Sequence, residues 1–248
     1  MDTNGKFIMS CSTNKNDLAL FDLKGTLLTK IDTVLSGTHH ASISPCGKFV
    51  AASGFTPDIK VWSIKFSKSG SFEKASRAFE LTGHTSGVYY FAWRNDSARV
   101  ASISKDGTWK LFEVSVDSHL NQAFPYKLID SGKVETLPTS KIALSPDGFT
   151  MAISCDKDIL LYSLNPAKFV TRIENVHSMS IKHLIFDSES KWLLSSGDKH
   201  LRVFHNVVGF ERSLVELKKT LNEAVTEGHK DRLQQQIKEL QTKLKSFA

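Results

Sequence analysis

Hydrophobic and polar residues alternate in short runs along most of the chain, and polar turns separate the runs. The stretch 104–114, SKDGTWKLFEV, joins an Asp-Gly pair to an alternating run that contains a late aromatic residue. Alternation with a period of two predicts a half-buried β-strand, and Asp-Gly is typical of tight turns. The pattern therefore predicts antiparallel strands joined by short turns.

This strand-turn-strand unit occurs five times. Its first turn carries a glycine or serine, and successive turns lie 42, 50, 51 and 42 residues apart, at Gly5, Gly47, Ser97, Gly148 and Ser190. A period of roughly 40 to 45 residues is typical of propeller blades with four strands each. The longer units gain residues in loops. Five copies in phase indicate a repeat fold.

Each copy closes its second strand on an aromatic residue whose bulk suits the space between two sheets. These blade-closing aromatics are Phe21, Trp62, Phe112, Tyr162 and Phe204. Another strand precedes each full unit, and one follows the aromatic residue. We therefore predict an all-β fold, a β-propeller. The expected blades are approximately 1–33, 34–82, 83–132, 133–175 and 176–207.

Residues 208–248 change to a helical period. Leu214, Leu217 and Leu221 recur at helical spacing, and so do Leu233, Ile237, Leu240 and Leu244. We predict an amphipathic helical hairpin, with Gly228 between the helices and Asp231 as the cap of the second. Little more than two heptads are present, too few to establish a coiled-coil dimer. Packing on the propeller, packing between the helices and binding of a partner stay open.

Composition adds little to this picture. A net charge of +6 suits an anionic partner such as RNA, but the 32 basic residues are scattered among 26 acidic ones. The three cysteines form no CxxC pair, which argues against a disulfide framework or a zinc knuckle. No apolar run approaches the roughly 18 to 20 residues that span a bilayer.

Candidate chemistry is sparse. No phosphate-binding loop, zinc-protease motif or nucleophile elbow is present. His84 lies near Ser104 and Asp106 in the pattern, and His177, Ser196 and Asp198 repeat that arrangement. Recurrence at one blade position favours a structural role over a catalytic triad. We therefore predict a non-enzymatic protein with no catalytic residue, cofactor or small-molecule substrate.

The adjacent histidines His39 and His40 invite a metal-site interpretation. Neighbouring residues of a strand point to opposite faces, so the two rings do not easily chelate one ion. We predict no metal site.

The Gly83-His84 pair, the turn Asp106 and the closing aromatics resemble the WD40 repeat family. The resemblance implies a buried hydrogen-bond network of His84, Ser104 and Asp106, repeated by His177, Ser196 and Asp198. It also implies an interaction scaffold that binds other proteins through its loops. Candidate partner-binding positions are Phe55, Ser86, Tyr89 and Lys105.

The stretches FTPDIKVW, RAFELTGH and LRVFHN resemble one branch of that family in particular. This branch carries an N-terminal membrane anchor at the endoplasmic reticulum, faces the cytosol and acts in the stress response there. The resemblance implies a cytoplasmic chain with protein partners such as a stress-response kinase or the translation machinery. The alternative is an RNA- or ribosome-associated binding protein.

The strand pattern amounts to about four and two-thirds blades, because the first copy is expected to lack its first strand and the last copy its fourth. WD40 propellers usually close with seven blades. We therefore expect further blades upstream, with this chain a fragment, a short isoform or an incomplete gene product. A tightened five-bladed ring is the alternative.

Overall fold

The computed structural model describes residues 2–3, 5–11, 16–115 and 125–247. The strands form five antiparallel sheets, and each sheet contains strands that are consecutive in the chain. The innermost strands of successive sheets contact one another in chain order. The predicted WD-type blades, and the helical pair that follows them, are thereby confirmed.

The first two sheets contain β1 Asp2–Thr3, β2 Ile8–Cys11, β3 Asp17–Phe21, β4 Leu27–Asp32, β5 Thr38–Ile43, β6 Phe49–Gly54, β7 Ile59–Phe66 and β8 Phe72–Leu81. The third and fourth contain β9 Val88–Trp93, β10 Arg99–Ser104, β11 Thr108–Val114, β12 Tyr126–Lys133, β13 Ile142–Leu144, β14 Thr150–Cys155, β15 Asp158–Ser163 and β16 Lys168–Ile173. The fifth contains β17 His183–Phe186, β18 Trp192–Ser196 and β19 Leu201–His205.

The first sheet departs from the strand pattern that the sequence predicts, whereas the fifth sheet agrees with it. The first sheet has four strands, because Asp2 and Thr3 pair with Met9 and Ile8 as a short inner strand. The expectation that this blade lacks its first strand was wrong, since two residues suffice for that pairing. In the fifth sheet three strands are described, and the chain leaves β19 directly for a helix.

Hydrophobic clusters fill the spaces between adjacent blades. Three of the blade-closing aromatics lie within them: Trp62 between the first and second sheets, Phe112 between the second and third, and Tyr162 between the third and fourth. Phe204 is half-buried against the cluster between the fourth and fifth sheets. Phe21 is half-buried in the first sheet. Each cluster removes apolar area from water, which stabilises the fold by about 25 cal/mol per Å².

The first turn of every copy has the same backbone geometry, with positive φ angles of 78°, 72°, 63°, 75° and 58° from the first copy to the fifth. Two copies place serine there instead of glycine. Ser97 Oγ accepts a hydrogen bond from Cys46 N at 2.9 Å, and Ser190 Oγ accepts one from Asp147 N at 2.9 Å. Both bonds join one blade to the preceding one, so they offset the strain of a non-glycine residue in the left-handed region.

Two helices follow the last blade, α1 Val207–Glu223 and α2 Glu227–Lys245. The side chain of Asn206 caps α1 by accepting from Gly209 N, and it also bonds Thr150 Oγ1 and Ser190 O. These bonds fix where the helix begins relative to the fourth and fifth blades. The helices pack on each other, and α1 also contacts β15.

Two details of the predicted helix boundary were wrong. Thr226 is the N-cap residue of α2, so Gly228 and Asp231 lie inside that helix instead of separating or capping it. A glycine within a helix costs only about 1 kcal/mol relative to alanine, and the packing of Leu233 and Ile237 compensates for it. The end of the chain returns to the fifth blade, where the Phe247 ring lies 4.0 Å from the ring of His205. Neither described helix is long and apolar enough to cross a membrane.

Candidate functional site

A buried hydrogen-bond network joins the loop before β9 to the turn between β10 and β11. His84 Nδ1 lies 3.0 Å from Asp106 Oδ2 and 3.1 Å from Thr108 Oγ1. The same carboxylate accepts from Thr85 N and Thr108 N, both at 2.9 Å. The network ties two loops of the third blade together.

The fifth blade repeats this network. His177 Nδ1 lies 3.1 Å from Asp198 Oδ1, and Ser178 N and His200 N donate to that carboxylate. His177 Nε2 contacts Ser195 Oγ at 2.9 Å.

The serines that contact the two histidines are not the ones that the sequence pattern indicated, although Ser104 Oγ does accept a hydrogen bond from Asp106 N at 3.1 Å. His84 Nε2 contacts Ser102 Oγ at 2.8 Å, whereas Ser104 Oγ donates to Ser86 O and Gly87 O. In the fifth blade the histidine contacts Ser195 instead of the predicted Ser196. In each network the histidine ring extends past the turn towards the middle of the strand. It therefore contacts a serine that lies farther from the turn aspartate than the predicted one.

In the first network, burial and the contacts between the ionisable groups shift each pKa in opposite directions. Burial lowers the pKa of His84 below its usual range, although Asp106 opposes the shift. Burial acts to raise the pKa of Asp106, but hydrogen bonds from Thr108, Thr85 N and His84 outweigh it and hold that pKa low. In the fifth blade the amides of Ser178 and His200 hold the pKa of Asp198 well below its usual range.

The four candidate partner-binding residues lie on one rim of the arc, between the second and third blades. Phe55, in the turn between β6 and β7, is 62% exposed. Its ring lies 4.4 Å from the ring of His39, which lies 5.8 Å from the ring of Tyr89. Ser86 and the exposed Lys105 are adjacent, because Ser104 Oγ bonds Ser86 O and Lys105 N bonds Gly87 O. We call Phe55, His39, Tyr89, Ser86 and Lys105 the rim cluster.

Irregularities in two inner strands place the rings of His39 and Tyr89 on the rim. The β5–β6 register shifts between Thr38 and His40, and the β9–β10 register skips from Val88 to Tyr90. His39 and Tyr89 are therefore the extra residues at the start of two successive inner strands. Bulges turn a side chain out of the sheet, so both rings point to the rim. His39 Nδ1 also lies 3.2 Å from Val88 O, which joins the two blades.

Two glycines allow the loops below Phe55 to stack. A Cβ on Gly54 would lie 2.0 Å from Gly37 O, and one on Gly87 would lie 3.0 Å from Gly54 O and 3.1 Å from the Cα of Phe55. Only backbone without a side chain fits between these loops.

Gly54→Ala is expected to destabilise the protein by about 1–3 kcal/mol, because the obstructing atom is a backbone oxygen. Urea unfolding measures the change. Gly228→Ala is the matched control: it lies within α2 with no atom within 4 Å of the new Cβ, and it should stabilise by up to about 1 kcal/mol. Equal effects of the two substitutions would contradict the stacking of the loops.

Behind the rim, inner strands β5, β9, β13 and β17 line an open cavity of about 540 Å³. At one end of these strands the His40 ring stacks on Tyr90 at 3.8 Å, and Lys141 Nζ lies 4.6 Å from the centre of the Tyr90 ring. His40 pairs with Ser53 and Tyr90 with Ile103, while the backbone of Lys141 bonds Ser154. Those three partners are the penultimate residues of β6, β10 and β14, so the stack uses one equivalent position in three blades.

Neither the stack nor the role of His39 was predicted. Strand alternation predicts that His39 and His40 point to opposite faces, but it does not show that a bulge sends His39 to the rim and leaves His40 on Tyr90. The signal that could have found the stack is positional. His40, Tyr90 and Lys141 each lie seven residues before the first-turn residue of their copy, which is Gly47, Ser97 or Gly148.

Five blade-like sheets with buried histidine-aspartate networks are features of WD-type repeat proteins, and the sequence comparisons agree with that class. The WD domain, G-beta repeat, matches residues 75–113 and 169–205. The chain therefore contains WD40 repeats. It is also similar to Transducin beta-like protein 2 of Homo sapiens, with 42% identity over 98% of this chain and 54% of that protein.

The protein of the same name from Mus musculus is 42% identical over 98% of this chain and 55% of its own length. The chain thus spans about half the length of the curated relatives it matches, and the human match lies in the relative's C-terminal part. Proteins of the WD40 class generally act as non-enzymatic scaffolds that bind other proteins.

Proposed function

We propose that this chain is a non-enzymatic scaffold that binds a partner protein through the rim cluster. The observation that carries the proposal is Phe55, a large aromatic side chain that is 62% exposed on a rigid turn. Exposed aromatic residues held by a stiff framework are typical binding anchors. Its position beside His39 and Tyr89 gives the partner a contiguous aromatic surface.

The histidine networks support a structural role. Both ring nitrogens of His84 contact protein groups, and the Ser102 side chain belongs to a residue that is fully buried. A catalytic histidine needs a nitrogen free to exchange a proton with substrate, and a nucleophilic serine needs access to it. We therefore assign His84, Asp106, His177 and Asp198 as braces of the blades.

The resemblance to an endoplasmic-reticulum branch of the family extends the proposal to stress signalling on the cytosolic side of that membrane. In this role the rim would hold a signalling or translation protein. The support is the likeness to Transducin beta-like protein 2 over 98% of the chain.

The rim proposal predicts that the double substitution Phe55→Ala with Lys105→Ala weakens peptide recognition. A random peptide display library is selected on the chain, and the affinities of the enriched peptides are measured by fluorescence anisotropy. Loss of the Phe55 anchor is worth about 2 kcal/mol, which corresponds to a loss of roughly thirtyfold in affinity.

Phe169→Ala with Lys127→Ala is the matched control, because these residues are exposed on the outer strands β16 and β12. The control should bind the selected peptides as the original chain does. Peptides that bind both double variants equally well would reject the rim cluster as the binding surface.

A further inference from the structure

Lys141 is a half-buried cation that has no carboxylate partner among the described residues. Its ammonium lies over the Tyr90 ring instead. Burial lowers the pKa of Lys141, and no neighbouring acidic group opposes that shift. Removing a charge from water without an ion-pair partner is unfavourable, so the position calls for an explanation beyond packing.

Contacts from three blades hold the surroundings of Lys141 in place. The His40, Tyr90 and Lys141 stack uses side chains from three successive blades, and Phe91 lies against His40 at 4.9 Å. The backbone of Lys141 is held by Ser154 through Ser154 N and Ser154 Oγ. The stem of the lysine is therefore positioned before any ligand arrives, which reduces the entropic cost of binding.

The stack lies beside the cavity. His40 and Tyr90 line it, and Ile142, the residue after Lys141, lines it as well. Small side chains such as Ala41, Ala92 and Ala143 leave the interior open. About 540 Å³ is enough for one or two inserted side chains, since small-ligand sites begin at roughly 300 Å³.

We infer that Lys141 receives a carboxylate from an acidic, aromatic-containing peptide segment of the partner protein, with the His40–Tyr90 stack beside it and the cavity taking the adjoining side chain. This inference rests on the proposed function and names the chemistry of the partner. The aromatic rim cluster lies on the same blades, at the bulged residues next to His40 and Tyr90. One extended peptide can therefore contact both places.

A carboxylate fits the position better than an RNA phosphate. Recognition of a nucleic-acid backbone uses several lysines or arginines along a groove, together with exposed rings on which bases stack. Here one ammonium faces the stack, and the Tyr90 ring already has His40 and Lys141 against it. Burial lowers the pKa of His40 to about 3, so His40 adds no second positive charge at neutral pH.

The test uses two fluorescein-labelled peptides, GFEGFEGFEG and its uncharged counterpart GFQGFQGFQG, with anisotropy as the readout. The glutamate peptide should bind about tenfold more tightly, which corresponds to about 1.4 kcal/mol. Lys141→Met should remove that preference by weakening the glutamate peptide alone. Lys141→Arg, which keeps the charge, should retain it.

Lys127→Met is the matched control and should leave both affinities unchanged, since Lys127 is exposed on β12. Equal binding of the two peptides, or an equal effect of Lys141→Met on both, would overturn the inference. Binding of a uridine oligonucleotide that depends on Lys141, without binding of the glutamate peptide, would also overturn it in favour of a phosphate. If Phe55→Ala with Lys105→Ala weakens binding of both peptides while the glutamate preference is absent, the rim function stands and the Lys141 inference falls.

Discussion

Asp106→Asn is expected to lower the free energy of unfolding by about 3 kcal/mol, because the carboxylate accepts hydrogen bonds on both oxygens. Thr85 N and His84 Nδ1 approach Oδ2, and Thr108 N and Oγ1 approach Oδ1. An asparagine amide has the same shape but turns an N–H group towards one pair of these donors. At least one buried donor is then left without an acceptor.

Urea unfolding at pH 7 measures the change, and Asp231→Asn is the matched control. Asp231 is exposed on α2, so the same substitution there should alter stability by no more than about 0.5 kcal/mol. Asp198→Asn should act in the same direction as Asp106→Asn, since Asp198 holds the loops of the fifth blade. An Asp106→Asn protein as stable as the original would show that the network does not brace the blade.

The repeat itself could be predicted because each copy obeys local rules. A turn that needs positive φ, such as that at Gly47, selects glycine or an equivalent residue at a fixed distance from an alternating strand. The phase of five such turns then fixes where the strands begin. The two-residue strand Asp2–Thr3 carries no such pattern, because two residues cannot show a period of two.

The binding surface was less accessible to sequence reasoning. Phe55 and Lys105 were predicted as loop residues, and the structure brings their loops together. His39 and Tyr89 project beside them because the register of two inner strands shifts at those positions. A register shift depends on the pairing with the neighbouring strand, so hydrophobic alternation along one strand does not reveal it.

The pairing of Lys141 with Tyr90 shows a second limit. The two residues are 51 positions apart in the sequence and belong to different blades. They meet because equivalent positions of successive inner strands adjoin around the cavity. When the repeats are aligned by their first turns, His40, Tyr90 and Lys141 occupy equivalent positions. The stacking of their side chains, however, depends on the curvature of the arc.

His40 is expected to make the stability of the protein fall as the pH drops below about 6.5. Burial, with help from the charge of Lys141, lowers its pKa from the ordinary 6.5 to about 3. Between those values the unfolded chain binds a proton that the folded chain excludes, so the stabilising contribution is full above pH 6.5 and is lost towards pH 3. Between pH 7.5 and pH 5 the loss is about 2 kcal/mol.

His84 has the same sign of shift and adds to the slope, whereas the low pKa values of Asp106 and Asp198 act only at more acidic pH, below their ordinary values near 3.8. His40→Phe keeps a ring on Tyr90 and removes the titrating group, so urea midpoints between pH 7.5 and pH 5 should depend less on pH. The exposed His229→Gln variant should keep the original slope. If His40→Phe retained that slope as well, His40 would have to ionise freely in the folded protein, and the stack could not be shielding its ring from water.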